Sequence, residues 1–234
     1  MPLTRWFLAM YLLTQAKNNV STLELKRHLG ASYPTAWLVK YKLLEVMRLR
    51  EDARQFTGRV EIDDAYLGSE RSDGKSGRGS ENKVPFIAVV QTTEDGQPVL
   101  ACFAPKPFTK QAVRECAAKS LMLPLTVVSD DLRAFTATET AGVYERVVTG
   151  GGKASAKLPQ FQAVNTVLSL LKLAITGTYH ALQFEKYAHR YLAEMQYRFN
   201  RRFDLRSILR RLVRAAAVTK PQNRAFLREA EVGR

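Results

Sequence analysis

The sequence predicts an α/β fold, in which a mixed β-sheet has flanking helices and is preceded by a small helical segment. Apolar residues recur at helical spacing up to residue 58, whereas from residue 59 short apolar stretches alternate with helical patterns. From about residue 162 the pattern is helical throughout. We therefore predict three parts: a helical segment (1–58), an α/β domain (59–200) and a basic C-terminal helical tail (201–234).

The first segment has the pattern of a helix-turn-helix unit. We expect three helices, over residues 3–15, 21–30 and 34–50. Ser21 and Glu24 form a capping box at the start of the second helix, which Gly30 ends. A short helix, a glycine-bearing turn and a longer helix are typical of DNA-binding motifs, so Lys40 on the third helix is a candidate DNA contact. The alternative is a small helical unit that only packs.

The second part has the element order of a mixed sheet. Five strands are predicted, at residues 60–67, 84–91, 98–104, 125–129 and 144–148. Helices are predicted at residues 109–121, from about 131, and at 162–176, 182–200 and 205–217. Three consecutive strands followed by helix, strand, helix and strand are the order of an RNase H-like domain.

The charge of the chain is uneven along its length. Lys and Arg number 36 against 22 Asp and Glu, a net charge of +14. Residues 1–59 carry +6, residues 60–184 are neutral and residues 185–234 carry +8. Basic flanks around a neutral centre indicate a polyanionic partner, and nucleic acid is the natural one, because phosphate contacts need clustered cations. A solvated basic surface, or attachment to ribosomes or anionic lipid, is the alternative.

Within the basic C-terminal part, the Arg-rich stretch Arg198–Arg214 is the candidate helical face for contacts to the DNA backbone. Arg198, Arg201 and Arg202 lie in or beside a predicted helix, and the guanidinium group pairs well with phosphate. A surface that only keeps the protein in solution is the alternative.

Composition excludes several classes of protein. The chain has 46% apolar and 25% charged residues, which argues against a disordered tail, a fibrous repeat or a disulfide scaffold. Its wholly apolar runs are too short to cross a bilayer, and no export signal is recognisable. The two cysteines form no CxxC pair, which fits a reducing compartment. We expect a cytoplasmic protein without a membrane segment.

Two aspartates follow or interrupt apolar strands, where a carboxylate is costly unless something compensates its charge. Asp63 lies within the first predicted strand and Asp130 directly follows the fourth. In an RNase H-like sheet these two strands are neighbours, so the carboxylates should converge. Paired carboxylates hold the divalent metals that activate an oxygen nucleophile against a phosphodiester. The alternative is that each Asp only caps the following turn.

Several segments resemble insertion-sequence transposases of the DDE superfamily, specifically those with an ISXO-type transposase domain. The resemblance begins in residues 6–13 and 32–37 and continues through Val60–Gly68. It is most specific at Gly177-Thr178-Tyr179-His180 and over residues 189–202. It covers nearly the whole chain and implies an RNase H-like catalytic domain.

The resemblance also implies a set of site residues. Asp63 and Asp130 match the first two catalytic acids, and Asn165 falls on the third position, where many relatives have Glu. Lys172, seven residues later on the same predicted helix face, matches a lysine that contacts DNA. The implied cofactor is Mg²⁺ or Mn²⁺, with two ions when DNA is bound.

The activity that the resemblance implies is transposition in a prokaryotic cell. The enzyme would cleave double-stranded DNA at the ends of its element and transfer the freed 3′-hydroxyl into target DNA. Because two ends must be processed together, we expect a homodimer or a higher oligomer. Relatives commonly carry a cysteine-rich zinc ribbon before the helical segment, and this sequence shows none. The alternatives are a catalytically silent DNA-binding protein derived from a transposase, which Asn165 would fit, and a junction-resolving nuclease.

Overall fold

The computed structural model describes residues 1–68, 83–130, 132–147, 158–179 and 184–229. The predicted loop at 68–83 therefore lies mostly outside the described residues, and Gly150–Gly152 lie wholly outside them. The strands are β1 (Phe56–Leu67), β2 (Val84–Thr92), β3 (Pro98–Ala104), β4 (Leu121–Ser129) and β5 (Val143–Arg146). The α-helices are α1 (Leu3–Gln15), α2 (Thr22–Leu29), α3 (Tyr33–Glu51), α4 (Lys110–Ser120), α5 (Gln162–Thr176), α6 (Phe184–Phe199), α7 (Leu205–Val218) and α8 (Arg224–Arg228).

The chain divides into two compact units. Unit 1 combines Met1–Glu51 with Leu171–Arg234, and unit 2 is Asp52–Leu170. This grouping differs from the three parts predicted from the sequence, because the basic tail belongs with the N-terminal helices. Every helix in the described part of the chain is too short or too polar to span a lipid bilayer.

Unit 2 is built on a five-stranded mixed sheet with the order β3-β2-β1-β4-β5. The central strand β1 is antiparallel to β2 and parallel to β4, and β5 is parallel to β4. This order and these directions confirm the RNase H-like fold. One face of the sheet is apolar, with side chains such as Val60, Ile62 and Val127 buried against Val113 of α4 and Phe135.

In unit 2, strand β4 and the segment after residue 131 differ from the prediction. Strand β4 begins at Leu121, ahead of the predicted start at residue 125, because Leu121 still pairs with Phe56 of β1. Where a helix was predicted from about residue 131, the structure has a 3₁₀ helix, Arg133–Ala141. Strand β3 has the predicted bounds.

Unit 1 is helical, and α3 lies at its centre. Helices α1, α2, α6, α7 and α8 all contact α3. From Val39 to Met47 every residue of α3 except Lys42 is buried, which covers the helix on all sides. The last helix, α8, was not predicted, and at five residues it is too short to show a periodic pattern.

Candidate metal centre and nucleic-acid contacts

Three aspartates of unit 2 converge where the parallel pairing of β1 with β4 ends. The register of β1 with β4 ends at the pair Ile62 and Ser129, so Asp63 and Asp130 follow as the next residues on neighbouring strands. One carboxylate oxygen from each of Asp63, Asp64 and Asp130 lies within 4.8 Å of the other two. All three residues are half-buried. The predicted convergence of Asp63 and Asp130 is therefore present in the structure.

Sequence reasoning missed Asp64. Successive side chains of a strand point to opposite faces, so alternation places Asp64 with Ile62 rather than with Asp63. One of its carboxylate oxygens nevertheless lies within 4.8 Å of an oxygen of each of the other two aspartates. The only signal in the sequence was the pair of adjacent aspartates within an apolar strand.

Local hydrogen bonds hold two of these carboxylates in place. Asp63 Oδ1 accepts the Asp64 backbone N–H at 2.9 Å, and Asp130 Oδ1 accepts the Leu132 backbone N–H at 3.0 Å. Asp130 thus caps the following turn, which was the alternative to a metal-binding role. The two roles are compatible, because an ionised carboxylate has about four lone-pair sites and the cap uses one.

The N-terminal turn of α5 is anchored to β1 beside the aspartates. Glu61, which is fully buried, accepts the Val164 backbone N–H at 2.9 Å and pairs with Arg59 at 2.7 Å. Glu61 and Asp63 are two residues apart on a strand and so share a sheet face. Asn165 is the residue after the anchored one and is half-buried. Its metal-ligand role stays a prediction that this anchor favours.

The donor set of this centre suits a hard divalent cation. Carboxylate oxygens are the ligands that Mg²⁺ and Mn²⁺ prefer, and an amide oxygen can complete such a site. Among the described residues, Asp63, Asp64 and Asp130 are the one cluster of this composition. Three like charges this close repel one another, so a bound cation would lower their energy.

Lys40, the candidate DNA contact on α3, is an interior residue instead. It is 1% exposed, and its Nζ donates to the Val20 carbonyl at 2.6 Å and to the Tyr179 hydroxyl at 2.7 Å. Burial lowers the pKa of Lys40 to about 8 despite the charge of Glu194. The prediction for Lys40 is therefore wrong: its ammonium lies in the interior against the rings of Tyr179 and Tyr191, where no phosphate can reach it.

Many other residues of α3 are buried as well. A recognition helix needs one face open to the DNA groove, but α3 is covered on all sides over most of its length. Its exposed residues are Tyr33 and Pro34 at its start and Leu49 and Arg50 near its end. The three helices are present as predicted, but they pack as the core of unit 1.

Two of the three candidate arginines are also structural. Arg198 donates to the carbonyls of Asn18 at 2.6 Å and Lys17 at 3.1 Å. Arg201 is 7% exposed and pairs with buried Glu51 while donating to the Tyr197 carbonyl at 2.8 Å. Their guanidinium groups are already occupied by protein oxygens, so the predicted DNA-backbone role does not fit them.

The remaining candidates keep open surface. Arg202 is half-buried, with its guanidinium over the rings of Phe199 (3.8 Å) and Phe203 (4.1 Å). Lys172 is exposed on α5. A DNA-contacting role for Arg202 and Lys172 stays a prediction.

The residues of the specific C-terminal motifs also form a buried polar network. Tyr179 donates to Glu194 at 2.7 Å, and burial together with that carboxylate raises the pKa of Tyr179 well above its usual range. His189 is buried, and burial together with Arg190 and Arg48 lowers its pKa to about 4, so it is neutral at pH 7. His180 lies outside the described residues.

Comparisons with known proteins place the chain in a family. No curated protein matches it. Among solved structures, the Mos1 transposase paired-end complex with left transposon end aligns with a TM-score of 0.32 and 11% identity, over 84% of this chain and 73% of that one. A pre-cleavage Mos1 transpososome aligns with a TM-score of 0.32 and 10% identity, over 87% and 75%. Likenesses with TM-scores this low support no conclusion about this chain.

A family model gives the assignment. The model of the ISXO2-like transposase domain matches residues 55–200, which is more than half of the chain. The match includes all five strands of the sheet, the three clustered aspartates and Asn165. The chain belongs to the ISXO2-like transposase domain family.

Proposed function

We propose that this protein is an insertion-sequence transposase that cleaves DNA at the ends of its element and joins the freed 3′-hydroxyl to target DNA. The observation that carries the proposal is the convergence of carboxylate oxygens from Asp63, Asp64 and Asp130 within 4.8 Å, in a chain of this family. Double-stranded DNA is the substrate, and two copies or more would act together because two ends are joined in one event.

In this proposal the aspartates hold divalent metal ions at the end of β4, where its pairing with β1 stops. Bound Mg²⁺ or Mn²⁺ would polarise the scissile phosphate and lower the pKa of the attacking water or 3′-hydroxyl. Asp63 and Asp130 supply a carboxylate from each of the two strands, and Asp64 supplies a third. Asp63 and Asp130 each accept a hydrogen bond from a backbone N–H group, which fixes these two side chains before any ion arrives. This lowers the entropic cost of binding the metal ion.

Asn165 completes the proposed site through its amide oxygen. The buried Glu61 carboxylate fixes the start of α5 and so fixes the backbone that carries Asn165. An amide oxygen adds a ligand without adding charge. The second ion would then depend on substrate phosphates for much of its coordination, so we expect its binding to require DNA.

A cleavage assay tests the proposal. Duplexes carrying the ends of the element are incubated with Mg²⁺ or Mn²⁺, and both nicked ends and strand-transfer products are quantified. We expect Asp130→Asn to abolish both products while DNA binding persists. The matched control is Asp95→Asn, since Asp95 is exposed in the turn between β2 and β3. If the control lost activity to the same extent, loss at Asp130 would not identify a metal ligand.

Variants of Asn165 test the third position of the site. We expect Asn165→Ala to abolish cleavage, because a ligand is lost, and Asn165→Asp to keep some activity with a changed preference between Mg²⁺ and Mn²⁺. Wild-type rates in Asn165→Ala would remove Asn165 from the site. A wild-type protein that binds DNA but never cleaves it with either metal would instead support the silent DNA-binding alternative.

A further inference from the structure

Helix α7 presents a row of three exposed arginines. Arg206, Arg210 and Arg214 are spaced four residues apart and are all exposed. At 100° per residue the row lies about 170° from the buried stripe of Ile208, Leu212 and Ala215. We call these three side chains the α7 arginine row. It lies beyond residue 200, outside the part that the family model matches.

The α7 arginine row differs from the other arginines near it. Arg198 and Arg201 are bound to protein oxygens, and Arg211 pairs with Asp204 at 3.3 Å. Within the described residues, by contrast, the three arginines of the row have no acidic or hydrogen-bonding partner for their guanidinium groups. Their charges are therefore available to an external anion.

The charge of the molecule is concentrated in the unit that carries this row. Unit 1 contains 22 basic and 8 acidic side chains, whereas unit 2 contains 14 of each. All of the net charge of +14 thus belongs to unit 1. Because unit 2 has no net charge and gathers three carboxylates in one place, the net attraction for a polyanion comes from unit 1.

The geometry of the row favours a long, regularly charged partner. Successive arginines are separated by about 6 Å along the helix axis, and the row spans about 12 Å. Duplex DNA carries one charge per ~1.7 Å of its axis with both strands counted, so a duplex segment as long as the row carries about seven phosphates. Membrane insertion is disfavoured, because the apolar face of α7 is already buried within unit 1.

We propose that the α7 arginine row binds the phosphate backbone of duplex DNA without regard to sequence. This inference rests on the proposed function, which identifies DNA as the polyanion. The row holds the duplex to the protein independently of the metal centre, so binding through it requires no divalent ion.

The test is a salt titration of DNA binding in EDTA. The probe is a fluorescent 30-base-pair duplex of arbitrary sequence, and its affinity is measured by anisotropy between about 50 and 300 mM KCl. The test variant changes Arg206, Arg210 and Arg214 to Gln, which keeps helix propensity. The control changes Arg5, Arg114 and Arg133 to Gln, which removes the same charge from exposed sites elsewhere.

We expect the row variant to bind on the order of 10²-fold more weakly at 0.1 M salt, with the slope of log K against log[salt] shallower by about 2.7. The control should stay within a few-fold of wild type. A row variant that matches the control in affinity and slope would overturn the proposal. So would row-dependent binding to vesicles containing phosphatidylserine with DNA affinity unchanged, which would assign the row to lipid headgroups.

The outcome of the salt titration does not depend on whether the protein cleaves DNA. A wild-type protein that never cleaves DNA but shows the row-dependent slope would refute the proposed function and leave the α7 row as a DNA-binding surface. If the protein cleaves element ends but its DNA affinity does not depend on the α7 arginine row, only this inference is refuted.

Discussion

The two units of the molecule place their ionised side chains in opposite ways. Unit 2 has no net charge, yet it gathers the carboxylates of Asp63, Asp64 and Asp130 within 4.8 Å of one another at half-buried positions, where they repel one another. Unit 1 carries the whole net charge, yet it buries several of its cations against carboxylates and carbonyls. A repelling cluster fits a binding site, whereas satisfied buried pairs fit a scaffold.

The pairs of unit 1 come from segments far apart in the chain. Arg190 contacts Glu45 across 145 residues, and Arg201 contacts Glu51 across 150. Both arginines lie in the stretch whose resemblance to transposases is most specific. In this structure that stretch builds the polar interior of unit 1, and the proposed chemistry resides in unit 2.

The largest effect should follow from removing an acid of unit 2, and it should appear in activity alone. Under the proposed function, Asp63→Asn should slow cleavage on the order of 10³-fold, equivalent to ~4 kcal/mol of transition-state stabilisation. Stability against urea should stay equal or rise, because one of three repelling charges is removed. Single-turnover cleavage and urea unfolding measure the two quantities. A large loss of stability would mean that Asp63 belongs to the scaffold as well.

Removing an acid of unit 1 should do the reverse. Glu45 is 1% exposed and pairs with Arg190 at 2.9 Å and with Arg48 at 2.7 Å. Burial acts to raise the pKa of Glu45, but these two arginines outweigh it and hold the pKa below its usual range. Glu45→Gln leaves the guanidinium of Arg190 buried without its counter-ion, so the free energy of unfolding should fall by about 3–5 kcal/mol.

A matched control for Glu45 lies in unit 2. Glu115 pairs with Lys106 at 2.9 Å, but both side chains are substantially exposed. Glu115→Gln should leave the urea midpoint unchanged within error, because water replaces the pair. Equal losses in the two variants would show that the buried pair of unit 1 is no more important than a surface pair.

How far the sequence predicted this molecule depended on the range of the interactions. Local features were predictable: Ser21 accepts the Glu24 backbone N–H and Thr109 accepts that of Ala112, as the capping patterns indicate. The convergence of Asp63 with Asp130 followed from two neighbouring parallel strands. The sequence could not show which basic side chains form ion pairs inside the protein, because their partners are remote in the chain. Arg201, for example, pairs with Glu51, which is 150 residues away.

The error at Lys40 has the same origin. A lysine on a helix is expected at the surface, and nothing adjacent to Lys40 indicates a buried carbonyl and a tyrosine hydroxyl as its partners. Asp64 was missed for a different reason, since alternation along β1 predicts its side chain on the face opposite Asp63, although one of its carboxylate oxygens lies close to those of Asp63 and Asp130. Long-range partners and the reach of individual side chains were therefore the features that needed the structure.

Acid should destabilise unit 1 through His189. Its pKa is about 4 in the folded protein, against 6.5 for the unfolded chain, because of burial and the charges of Arg190 and Arg48. Between these values the unfolded state binds more protons, so stability falls as the pH drops from 6.5 towards 4. From pH 7.5 to 5 the loss should be about 2 kcal/mol.

Urea unfolding at several pH values checks this, with His189→Gln as the variant that should lack the loss. His28→Gln is the control, since His28 is exposed on α2, and its pH profile should match that of wild type. If the profile of His189→Gln also matched wild type, the acid sensitivity would arise from other groups.

The smallest expected effects compare the two units directly, through one helix cap in each. Ser21 caps α2 in unit 1 and Thr109 caps α4 in unit 2, each accepting a backbone N–H three residues ahead. Ser21→Ala and Thr109→Ala should each cost about 1 kcal/mol, and Asp at either position should restore most of it. Hydrogen exchange during unfolding measures the protection of each helix separately. If the units unfold independently, each cap variant loses protection in its own unit alone. Equal loss in both units from either variant would show that the molecule unfolds as one cooperative body.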